Sequence, residues 1–411
     1  MNLYQHQQEL LDQNPHKWLI AHDVGTGKSL LAMELAIKNA TRCLVICPKG
    51  IKKKWQREIT DHPNHQKIQW LVLTKEEFRR DWEKLSILID AVIVDEAHHF
   101  SNYSSQMSKN LLKFIRKVQP KCLWLLTGTP YRREPLNIWT LARYLGYDWP
   151  FMGFRSKYYK PQYVAYNRMV WVPRDDVKGE MARLVNTIGN TVRIDECADI
   201  PPQVFEYEEI VLTPAQKKAV KKVEETETAA IVRFTKIHQI EQGCLKGDEY
   251  VSASTYNNNK NDRILELCES ADKVAVFCRY NLQMDVLKEF LEKKLKDEKP
   301  IFVIRGGTKG RDSITLEVDK VDKCVVLITS DTSEGYELPS VGLVVFASMS
   351  FSFTSYQQAC GRFLRINRLK KNVYVHLITE GESLDRAVLD AILKKQSFDI
   401  AIYSREQENV V

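Results

Sequence analysis

The sequence predicts an α/β protein with two separate parallel sheets, and three features of its 411 residues support this fold class. Short apolar runs alternate with polar or amphipathic stretches over residues 17–126, and the same alternation returns over residues 273–377. The residues between Pro130 and Lys273 lack this alternation and are too numerous for a loop, so they must carry structure of their own. We therefore expect two sheet-containing lobes, residues 1–200 and 201–411. A mainly helical insertion would begin near residue 131 in the first lobe and end near residue 262 in the second.

Composition is that of an ordinary globular protein. Hydrophobic residues make up 44% and charged residues 27%, which argues against long disorder. The formal net charge of +7 permits a polyanionic partner without requiring one. No apolar run reaches the roughly 18–20 residues of a membrane helix, and the polar N-terminus lacks the apolar core of a signal peptide. We expect a protein that stays inside the cell, without a membrane partner, whose nine cysteines are reduced and buried.

Ten apolar runs are predicted to be strands, five in each lobe. Those of the first lobe are KWLIA (17–21), LVIC (44–47), WLVL (70–73), AVIV (91–94) and LWLL (123–126). Those of the second lobe are KVAVF (273–277), IFVI (301–304), CVVLI (324–328), GLVVF (342–346) and VYVHL (373–377). In the insertion, residues 215–234 are predicted to be a helix with an exposed charged face, and residues 249–262 a loop. We place the hinge between the lobes near residues 200–202.

A glycine-rich turn follows the first predicted strand directly. In LIAHDVGTGKSLLAMELA, Gly25 and Gly27 let the backbone amides curl around phosphate oxygens, and the helix that begins near Lys28 points its positive dipole end at the same charge. Lys28 would bind the β- and γ-phosphates of ATP, and Ser29 the magnesium ion. The strict phosphate-loop pattern has glycine at position 22, where this chain has His22. The order strand, turn, helix nevertheless predicts a site for ATP and Mg²⁺.

Two adjacent carboxylates follow the fourth predicted strand. In AVIVDEAHHF they lie at the carboxyl edge of a parallel sheet, where ligands bind. Asp95 suits magnesium, and Glu96 suits a general base that orients the attacking water. An acidic strand end alone is more often a solvated turn. Together with the phosphate loop, this pair predicts ATP hydrolysis.

Two further segments carry candidate residues. LWLLTGTP would place the hydroxyls of Thr127 and Thr129 beside the γ-phosphate, although a capped turn has the same sequence pattern. In the second lobe, FTSYQQACGRFLRIN has a helical pattern that sets Gln358, Arg362 and Arg365 on one face. Such arginines are usually surface residues or carboxylate partners. Because the phosphate loop lacks a cationic finger of its own, Arg362 and Arg365 are candidates for one supplied across the cleft.

The order of these segments resembles that of superfamily-two helicases and translocases over nearly the whole chain. LYQHQQELL is similar to the LxxHQxxG signature, AHDVGTGKS to motif I, LVICPKGIKKKWQREI to motif Ia, DEAHH to motif II and LTGTP to motif III. KVAVFCRY is similar to motif IV, SDTSEGYELPS to motif V and QQACGRFLR to motif VI. The resemblance implies two tandem RecA-like lobes. It also implies that Gln7 reads adenine, and that the nucleotide is held by Gly25, Thr26, Gly27, Lys28 and Ser29.

The insertion resembles the Swi/Snf-like branch in particular. Two motifs of that branch, ELWSLLxFL and FxxRY, are similar to PLNIWTLARYLGYDWPFMGFRSKYY (135–159). A third motif, LRxxKxxVxxxLPPKxE followed by LTxxQ, is similar to TVRIDECADIPPQVFEYEEIVLTPAQ (191–216). DEAD-box proteins have a short linker at this place. EGYEL stands where the branch has GGxGLNL in motif V. The chain therefore resembles a bare motor, as in compact phage or bacterial members, and duplex DNA is the implied partner.

Nucleic-acid contacts are predicted mainly from this resemblance, because lysine runs by themselves are usually solvated faces. Basic residues follow the second predicted strand and surround Gly306 and Gly307. Phosphate binding needs donors and charge rather than base readers, so we expect little sequence specificity. The candidate phosphate contacts are Lys49, Thr74, Arg305, Lys309, Ser330 and Ser333.

The resulting hypothesis is a monomeric, nucleic-acid-dependent ATPase that closes and reopens its two lobes around ATP and so steps along DNA. We expect it in the cytoplasm or the nucleoid, or in the host cytoplasm if a phage encodes it. Nothing in the sequence resembles a strand-splitting hairpin, which favours translocation on duplex DNA, although residues 160–190 and 244–262 each have room for a short one. Two alternatives remain open at this point: a strand-separating DNA or RNA helicase, and a nucleotide-switched clamp with little turnover.

Overall fold

The computed structural model describes residues 3–85, 88–131, 134–164, 168–197, 203–247, 253–308, 311–330, 332, 336–364, 371–394 and 398. The chain divides into two compact units, Met1–Asp199 and Ile200–Val411. Each unit contains one six-stranded parallel sheet with helices packed on it, so the α/β fold class with two tandem RecA-like lobes is confirmed. The predicted hinge at residues 200–202 lies outside the described residues.

The strands of the first unit are β1 (Lys17–His22), β2 (Arg42–Cys47), β3 (Gln69–Thr74), β4 (Ala91–Val94), β5 (Cys122–Leu126), β6 (Tyr159–Val164), β7 (Arg168–Pro173) and β8 (Gly189–Val192). Its helices are α1 (Gln5–Gln13), α2 (Lys28–Asn39), α3 (Lys52–Asp61), α4 (Lys75–Asp81), α5 (Gln106–Val118), α6 (Pro135–Tyr144), α7 (Phe151–Tyr158), α8 (Lys178–Ile188) and α9 (Ile194–Cys197). The parallel sheet has the order β3-β2-β4-β5-β1-β8, and β6 pairs with β7 in a separate antiparallel hairpin.

The strands of the second unit are β9 (Val204–Ile210), β10 (Cys244–Leu245), β11 (Ser254–Thr255), β12 (Lys273–Cys278), β13 (Ile301–Ile304), β14 (Cys324–Thr329), β15 (Leu343–Phe346) and β16 (Val373–Thr379). Its helices are α10 (Pro214–Thr226), α11 (Ala230–Glu241), α12 (Asn259–Ser270), α13 (Asn281–Leu295), α14 (Arg311–Lys320), α15 (Phe353–Gly361) and α16 (Leu384–Leu393). The parallel sheet has the order β13-β14-β12-β15-β16-β9, and β10 pairs with β11 in a short ribbon.

Each sheet is buried on both faces because its central strands are continuous apolar runs rather than alternating ones. Successive residues of β5 illustrate this arrangement: Leu123 and Leu125 join a core with α5, α6 and α8, whereas Trp124 and Leu126 join a core with α1, α2 and α3. The second unit repeats the arrangement with two cores of its own. Eight of the described cysteines are buried, and seven of these lie in the cores. Among the described residues, no helix is both long and apolar enough to cross a membrane.

All ten predicted strands are present, but the sequence did not reveal the sixth strand of either sheet. β8 lies parallel to β1, and β9 lies parallel to β16. β8 has only four residues and begins with Gly189, where a β-carbon would lie 2.0 Å from the Leu19 carbonyl oxygen. This close approach of two backbones needs glycine, a residue that weakens any strand prediction.

The insertion differs from its prediction in three places. The helix predicted over residues 215–234 is two helices, because the chain is extended at Glu227 between α10 and α11. The loop predicted over residues 249–262 gives way to α12 from Asn259, whose start is capped by the Asn258 side chain. The hairpin of β6 and β7 was not predicted as an element, although most of it lies within residues 160–190, where a short hairpin had room. The absence of such an element therefore no longer favours translocation over strand separation.

Candidate functional site

The turn between β1 and α2 has the backbone of a phosphate-binding loop. Gly25 and Gly27 have φ angles of 91° and 79°, in the left-handed region that glycine adopts readily. α2 begins at Lys28 directly after this turn, so its unpaired amide groups and positive dipole end lie there. Thr26 is fully buried, and its hydroxyl donates to the Asp23 carbonyl oxygen at 2.8 Å, which closes the turn.

The Lys28 side chain turns back into this loop. Its Nζ donates to the carbonyl oxygens of His22 and Asp23, at 2.7 Å each. Both partners are neutral backbone groups, and a charged phosphate oxygen would be a stronger acceptor for the same ammonium. Ser29, half-buried in the first turn of α2, places a hydroxyl beside it. These groups fit a nucleoside triphosphate and its magnesium ion.

His22 occupies the position where the strict loop pattern has glycine. Its ring is buried and packs edge-on against His6, with ring centroids 5.5 Å apart. Burial, followed by the nearby charge of Lys28, lowers the pKa of His22 to about 3. The ring is therefore neutral at neutral pH and adds no positive charge next to Lys28.

Gln7 is brought to the loop by α1 and is fully buried there. Its Nε2 donates to the carbonyl oxygens of Thr26 at 3.3 Å and Gly27 at 3.0 Å, and its Oε1 accepts from the Tyr4 amide at 2.8 Å. A β-carbon on Gly27 would lie 2.3 Å from this Nε2, so the loop needs glycine here for space as well as for φ. In this structure Gln7 stabilises the loop by hydrogen bonds, and recognition of adenine by Gln7 stays a prediction.

The two carboxylates lie directly after β4, and they differ in environment. Asp95 is buried, and its carboxylate accepts from the Trp55 indole Nε1 at 2.7 Å and from the Glu96 amide at 2.9 Å. Burial, followed by the charge of Glu96, raises the pKa of Asp95 to about 6, although Lys28 acts in the opposite direction. A buried carboxylate without a directly bonded cation is a good ligand for Mg²⁺, which prefers carboxylate oxygens.

Glu96 has a strained backbone with φ 50° and ψ 49°. This left-handed conformation costs a residue with a side chain about 1–3 kcal/mol, and such strain concentrates at functional sites. Its Oε2 lies 3.2 Å from Nδ1 of His98, and the same nitrogen lies 3.2 Å from the Thr127 hydroxyl. Thr127 also accepts from the Thr129 amide at 3.0 Å. His98 therefore connects the carboxylates after β4 with the threonines after β5.

Asp23 ties the loop to the end of the first unit. Its amide donates to the Val192 carbonyl oxygen at 2.9 Å, and its Oδ2 accepts from the Ile194 amide at 3.1 Å. Both partners lie at the end of β8 or directly after it. The conformation of the phosphate loop is therefore coupled to the insertion.

The structure tests the predicted placing of Arg362 but not that of Arg365. The helical pattern predicted Arg362 and Arg365 on one helix face, but α15 ends at Gly361 and Arg362 is its C-cap. The Arg362 amide donates to the Ala359 carbonyl oxygen at 3.1 Å, and this tight last turn ends the helix. Arg362 is buried, and Arg365 lies outside the described residues. The helix that was predicted to carry both arginines on one face therefore stops at Gly361, and residues 362–364 are not helical.

The predicted nucleic-acid contacts have varied environments. Lys49 is exposed, whereas Arg305 forms an ion pair with Asp285 at 3.1 Å. The Thr74 hydroxyl caps α4 by accepting from the Glu77 amide. Ser330 is buried and donates to the Ser348 carbonyl oxygen at 2.9 Å. Lys309 and Ser333 lie outside the described residues.

Trp55 and His98 are site residues that sequence reasoning missed. Trp55 is almost fully buried although it lies in the lysine-rich α3, and a lone tryptophan in such a helix was the available signal. His98 belongs to the DEAHH segment but carried no assigned role. The link from Asp23 to Ile194 had no signal, because it joins residues 171 positions apart.

A second buried polar cluster lies at the carboxyl end of the sheet in the second unit. Lys260, at the start of α12, is 1% exposed. Its Nζ donates to Asp385 Oδ2 at 2.5 Å, to Gln242 Oε1 at 3.0 Å and to the Ala347 carbonyl oxygen at 3.2 Å. His238 Nε2 lies 3.0 Å from the other oxygen of Asp385. All three ammonium protons and both carboxylate oxygens therefore have internal partners.

The charges in this second cluster are balanced internally. Burial pushes the pKa of Asp385 upward, but Lys260 and His238 outweigh burial and hold this pKa well below its usual range. Burial, followed by the charge of Asp385, raises the pKa of Glu241 to about 8. The ligand atoms of His238, Glu241 and Asp385 lie within 4.8 Å of one another, as in a metal site. Because the Lys260 ammonium already holds Asp385, we assign an ion pair rather than a metal site.

Three protein families match consecutive parts of the chain. "Type III restriction enzyme, res subunit" matches residues 1–132, "SNF2-related domain" residues 79–254, and "Helicase conserved C-terminal domain" residues 259–367. These matches span both units.

Similar whole proteins and a solved structure agree with these families. The chain is 20% identical to an uncharacterized ATP-dependent helicase, YqhH, of Bacillus subtilis, over 94% of this chain and 76% of that protein. It is 22% identical to the Drosophila melanogaster SWI/SNF-related matrix-associated actin-dependent regulator of chromatin subfamily A-like protein 1, over 89% of this chain. The chain spans 51% of the length of that relative. The crystal structure of the Pyrococcus furiosus Hef helicase domain has a similar fold, with TM-score 0.54, 15% identity, and 95% and 98% of the two chains covered.

Proposed function

Because this chain belongs to the Swi/Snf-like branch of the superfamily-two helicases and is a nucleic-acid-dependent ATPase, we propose that it translocates along double-stranded DNA. The observation that best supports an ATPase site is that the phosphate loop supplies Lys28 and that the strand end supplies Asp95, a buried carboxylate whose pKa is raised. The duplex preference rests on the insertion, which matches the SNF2-related domain rather than a short linker.

In the proposed site, residues of the first unit hold and activate ATP. Lys28 would donate to phosphate oxygens in place of backbone carbonyl oxygens, and Ser29 and Asp95 would hold magnesium. Magnesium, when bound, neutralises charge on the phosphates. Glu96 accepts a proton from the attacking water, and His98 orients Glu96 from 3.2 Å.

His98 would also transmit the state of the site. It lies between Glu96 and Thr127, so a change at the carboxylate alters its bond to the threonine after β5. The bond from Asp23 to the Ile194 amide provides a second route, from the phosphate loop to the insertion. The bond between His98 and Thr127 is buried, where hydrogen bonds are strong, and the bond between Asp23 and Ile194 is partly buried.

We assign the finger role to Arg365, with Arg362 second. A finger stabilises charge that appears only in the transition state, at a scale of about 10³-fold or more in turnover. Arg365→Ala should therefore lower turnover strongly while its melting temperature and ATP affinity stay near those of the wild type. Parallel loss of melting temperature and turnover would instead identify a structural ion pair.

The test of the proposed function is steady-state ATPase activity with three activators at equal mass: duplex DNA, single-stranded DNA and RNA. Duplex DNA should activate best, and the motor should displace the third strand of a triplex. Binding should weaken steeply with salt, since each phosphate contact lowers log K by about 0.9 per unit of log salt concentration. A flat salt titration would contradict phosphate tracking.

The hairpin of β6 and β7 favours one second candidate, a strand-separating helicase. Fork unwinding at the same ATP concentration distinguishes the two. Efficient unwinding with single-stranded DNA as the better activator would replace translocation by strand separation, and would leave the ATP-site assignments intact.

A further inference from the structure

The hairpin of β6 and β7, together with α7 before it, forms a basic and aromatic projection of the first unit. Residues 152–174 contain five arginines and lysines and no acidic residue. The hairpin belongs to neither parallel sheet. At about 3.3 Å per residue, six-residue strands make a ribbon about 20 Å long.

One face of this ribbon is aromatic and apolar. Across the strands Tyr159 is opposite Pro173, Pro161 is opposite Trp171, and Tyr163 is opposite Met169. Because alternate residues of a strand share a face, these three pairs lie on the same side of the ribbon.

The base of this face is packed and its outer part is not. Tyr159 is buried, and its hydroxyl accepts from the Leu136 amide at 3.1 Å. The Arg155 guanidinium lies over the Trp171 ring, 4.7 Å from the centroid. Beyond this pair, Tyr163 is 68% exposed and Met169 is 49% exposed. The hairpin therefore has an anchored base and presents a tyrosine and a methionine to solvent.

This exposure is unusual within the molecule. Among the large hydrophobic side chains of the described residues, Tyr163 has the highest exposed fraction, and Met152 follows at 64%. Arg155 connects Met152 of α7 with the hairpin, because its Nη2 donates to Met152 Sδ at 3.5 Å while its guanidinium covers Trp171 of β7. The result is a strip of exposed apolar groups bordered by cations.

Size and charge indicate what this strip binds. A stable protein interface needs about 1,000 Å² or more of buried surface, which two exposed side chains on a ribbon do not provide. Lys157 and Arg174 form ion pairs with Glu180 and Asp176, but the segment still carries five cations and no acidic residue of its own. Such an excess of positive charge suits phosphates, and an exposed aromatic ring suits stacking on a base. We propose that this hairpin binds nucleic acid and that Tyr163, beside Met169, stacks on a base exposed where a duplex ends or opens. This inference rests on the proposed function, that the motor acts on DNA.

The experiment compares binding of a fluorescently labelled forked duplex and a blunt duplex of the same paired length, by anisotropy, without ATP. Tyr163→Ala should weaken binding to the fork by about 5- to 100-fold, the range measured for loss of one base–aromatic stack, and should weaken binding to the blunt duplex less. Tyr163→Trp, which keeps a stacking ring, should bind the fork like the wild type. A 2-aminopurine at the junction should show altered fluorescence with the wild type and not with Tyr163→Ala.

Tyr207→Ala is the matched control, because Tyr207 is an exposed tyrosine on edge strand β9 of the other unit. It should bind both probes like the wild type, and the melting temperature of Tyr163→Ala should be unchanged. Met169→Ala is a second variant on the same strip, and its preference for the fork over the blunt duplex should also be smaller than that of the wild type. Unchanged fork affinity of Tyr163→Ala would overturn the inference and leave a protein partner as the alternative. Wild-type ATPase activity without any DNA stimulation would instead defeat the proposed function, while the binding assay would still decide the role of the hairpin.

Discussion

Each unit contains a lysine and a buried aspartate at the carboxyl end of its parallel sheet, but the two pairs differ in their hydrogen-bond partners. In the first unit the Lys28 ammonium bonds to backbone carbonyl oxygens, and Asp95 bonds to an indole and an amide. In the second unit Lys260 bonds directly to Asp385. The pKa of Asp95 is accordingly raised to about 6, whereas the pKa of Asp385 is held well below its usual range.

The difference teaches how one architecture produces a reactive site and a structural one. Burial opposes the charged form of both carboxylates. In the second unit this opposition is offset inside the protein, by a cation 2.5 Å away. In the first unit no described lysine or arginine forms an ion pair with Asp95, so a cation from solution gains affinity there. The first site is built to be completed by a ligand, and the second is complete.

The largest expected effect is on catalysis by the first unit. Lys28→Ala should abolish ATPase activity because it removes the charge that binds the β- and γ-phosphates. Glu96→Gln should keep ATP binding and lower turnover by about 10²- to 10⁴-fold, because it loses the proton acceptor but little volume. The measurements are DNA-stimulated ATPase rates and binding of a fluorescent ATP analogue. Wild-type turnover in Glu96→Gln would show that the carboxylate assignment is wrong.

The next effect is on stability and concerns the second unit. Lys260→Met should lower the free energy of unfolding by about 3–5 kcal/mol, because it leaves Asp385 buried without its cation. Urea unfolding followed by tryptophan fluorescence and circular dichroism measures this loss.

Lys28→Met is the matched control for this effect. It removes a lysine that donates to backbone carbonyl oxygens, and it should change stability far less. The double variant Lys260→Met with Asp385→Leu should recover much of the loss, since no charge then stays unpaired. Equal losses from the two lysine substitutions would remove the distinction between a structural and a reactive site.

The smallest expected effect is a pH dependence of stability from Glu241. Because its pKa of about 8 in the folded protein lies above its unfolded value, the folded state holds a proton that the unfolded state releases between about pH 4.5 and 8. Stability should therefore fall as pH rises through this range. Glu241→Gln should melt like the wild type near pH 5 and at a higher temperature near pH 8.5. The exposed Glu225→Gln is the control, and parallel melting curves for Glu241→Gln and wild type across pH would contradict the assignment.

The sequence predicted the ten core strands because each is a continuous apolar run bounded by polar segments. It failed at the two outermost strands, for a physical reason. β9 has mostly exposed or half-exposed side chains, and β8 is short and begins with Gly189, so neither has the apolar signature of a buried strand. Long-range pairing, rather than local preference, makes them strands.

The candidate site was predictable where a motif fixes local geometry and unpredictable where distant segments meet. Lys28 opens its helix after two left-handed glycines, as the phosphate-loop pattern requires. The indole of Trp55 on Asp95 and the placing of His98 beside Thr127 join residues 40 and 29 positions apart. No local pattern encodes such contacts. The end of α15 at Gly361 shows the opposite failure, where the helical periodicity of the sequence continues past the last helical residue.

The burial of the cysteines makes this chain convenient to label with dyes. The eight cysteines whose side chains the structure describes are all buried, and burial raises the pKa of each of their thiols. Maleimides react with the thiolate, so these positions react slowly. With Cys197→Ser in place, a cysteine introduced at Met169 would carry a fluorophore at the hairpin. Energy transfer to a dye on DNA would then follow that hairpin in single molecules while the motor turns over.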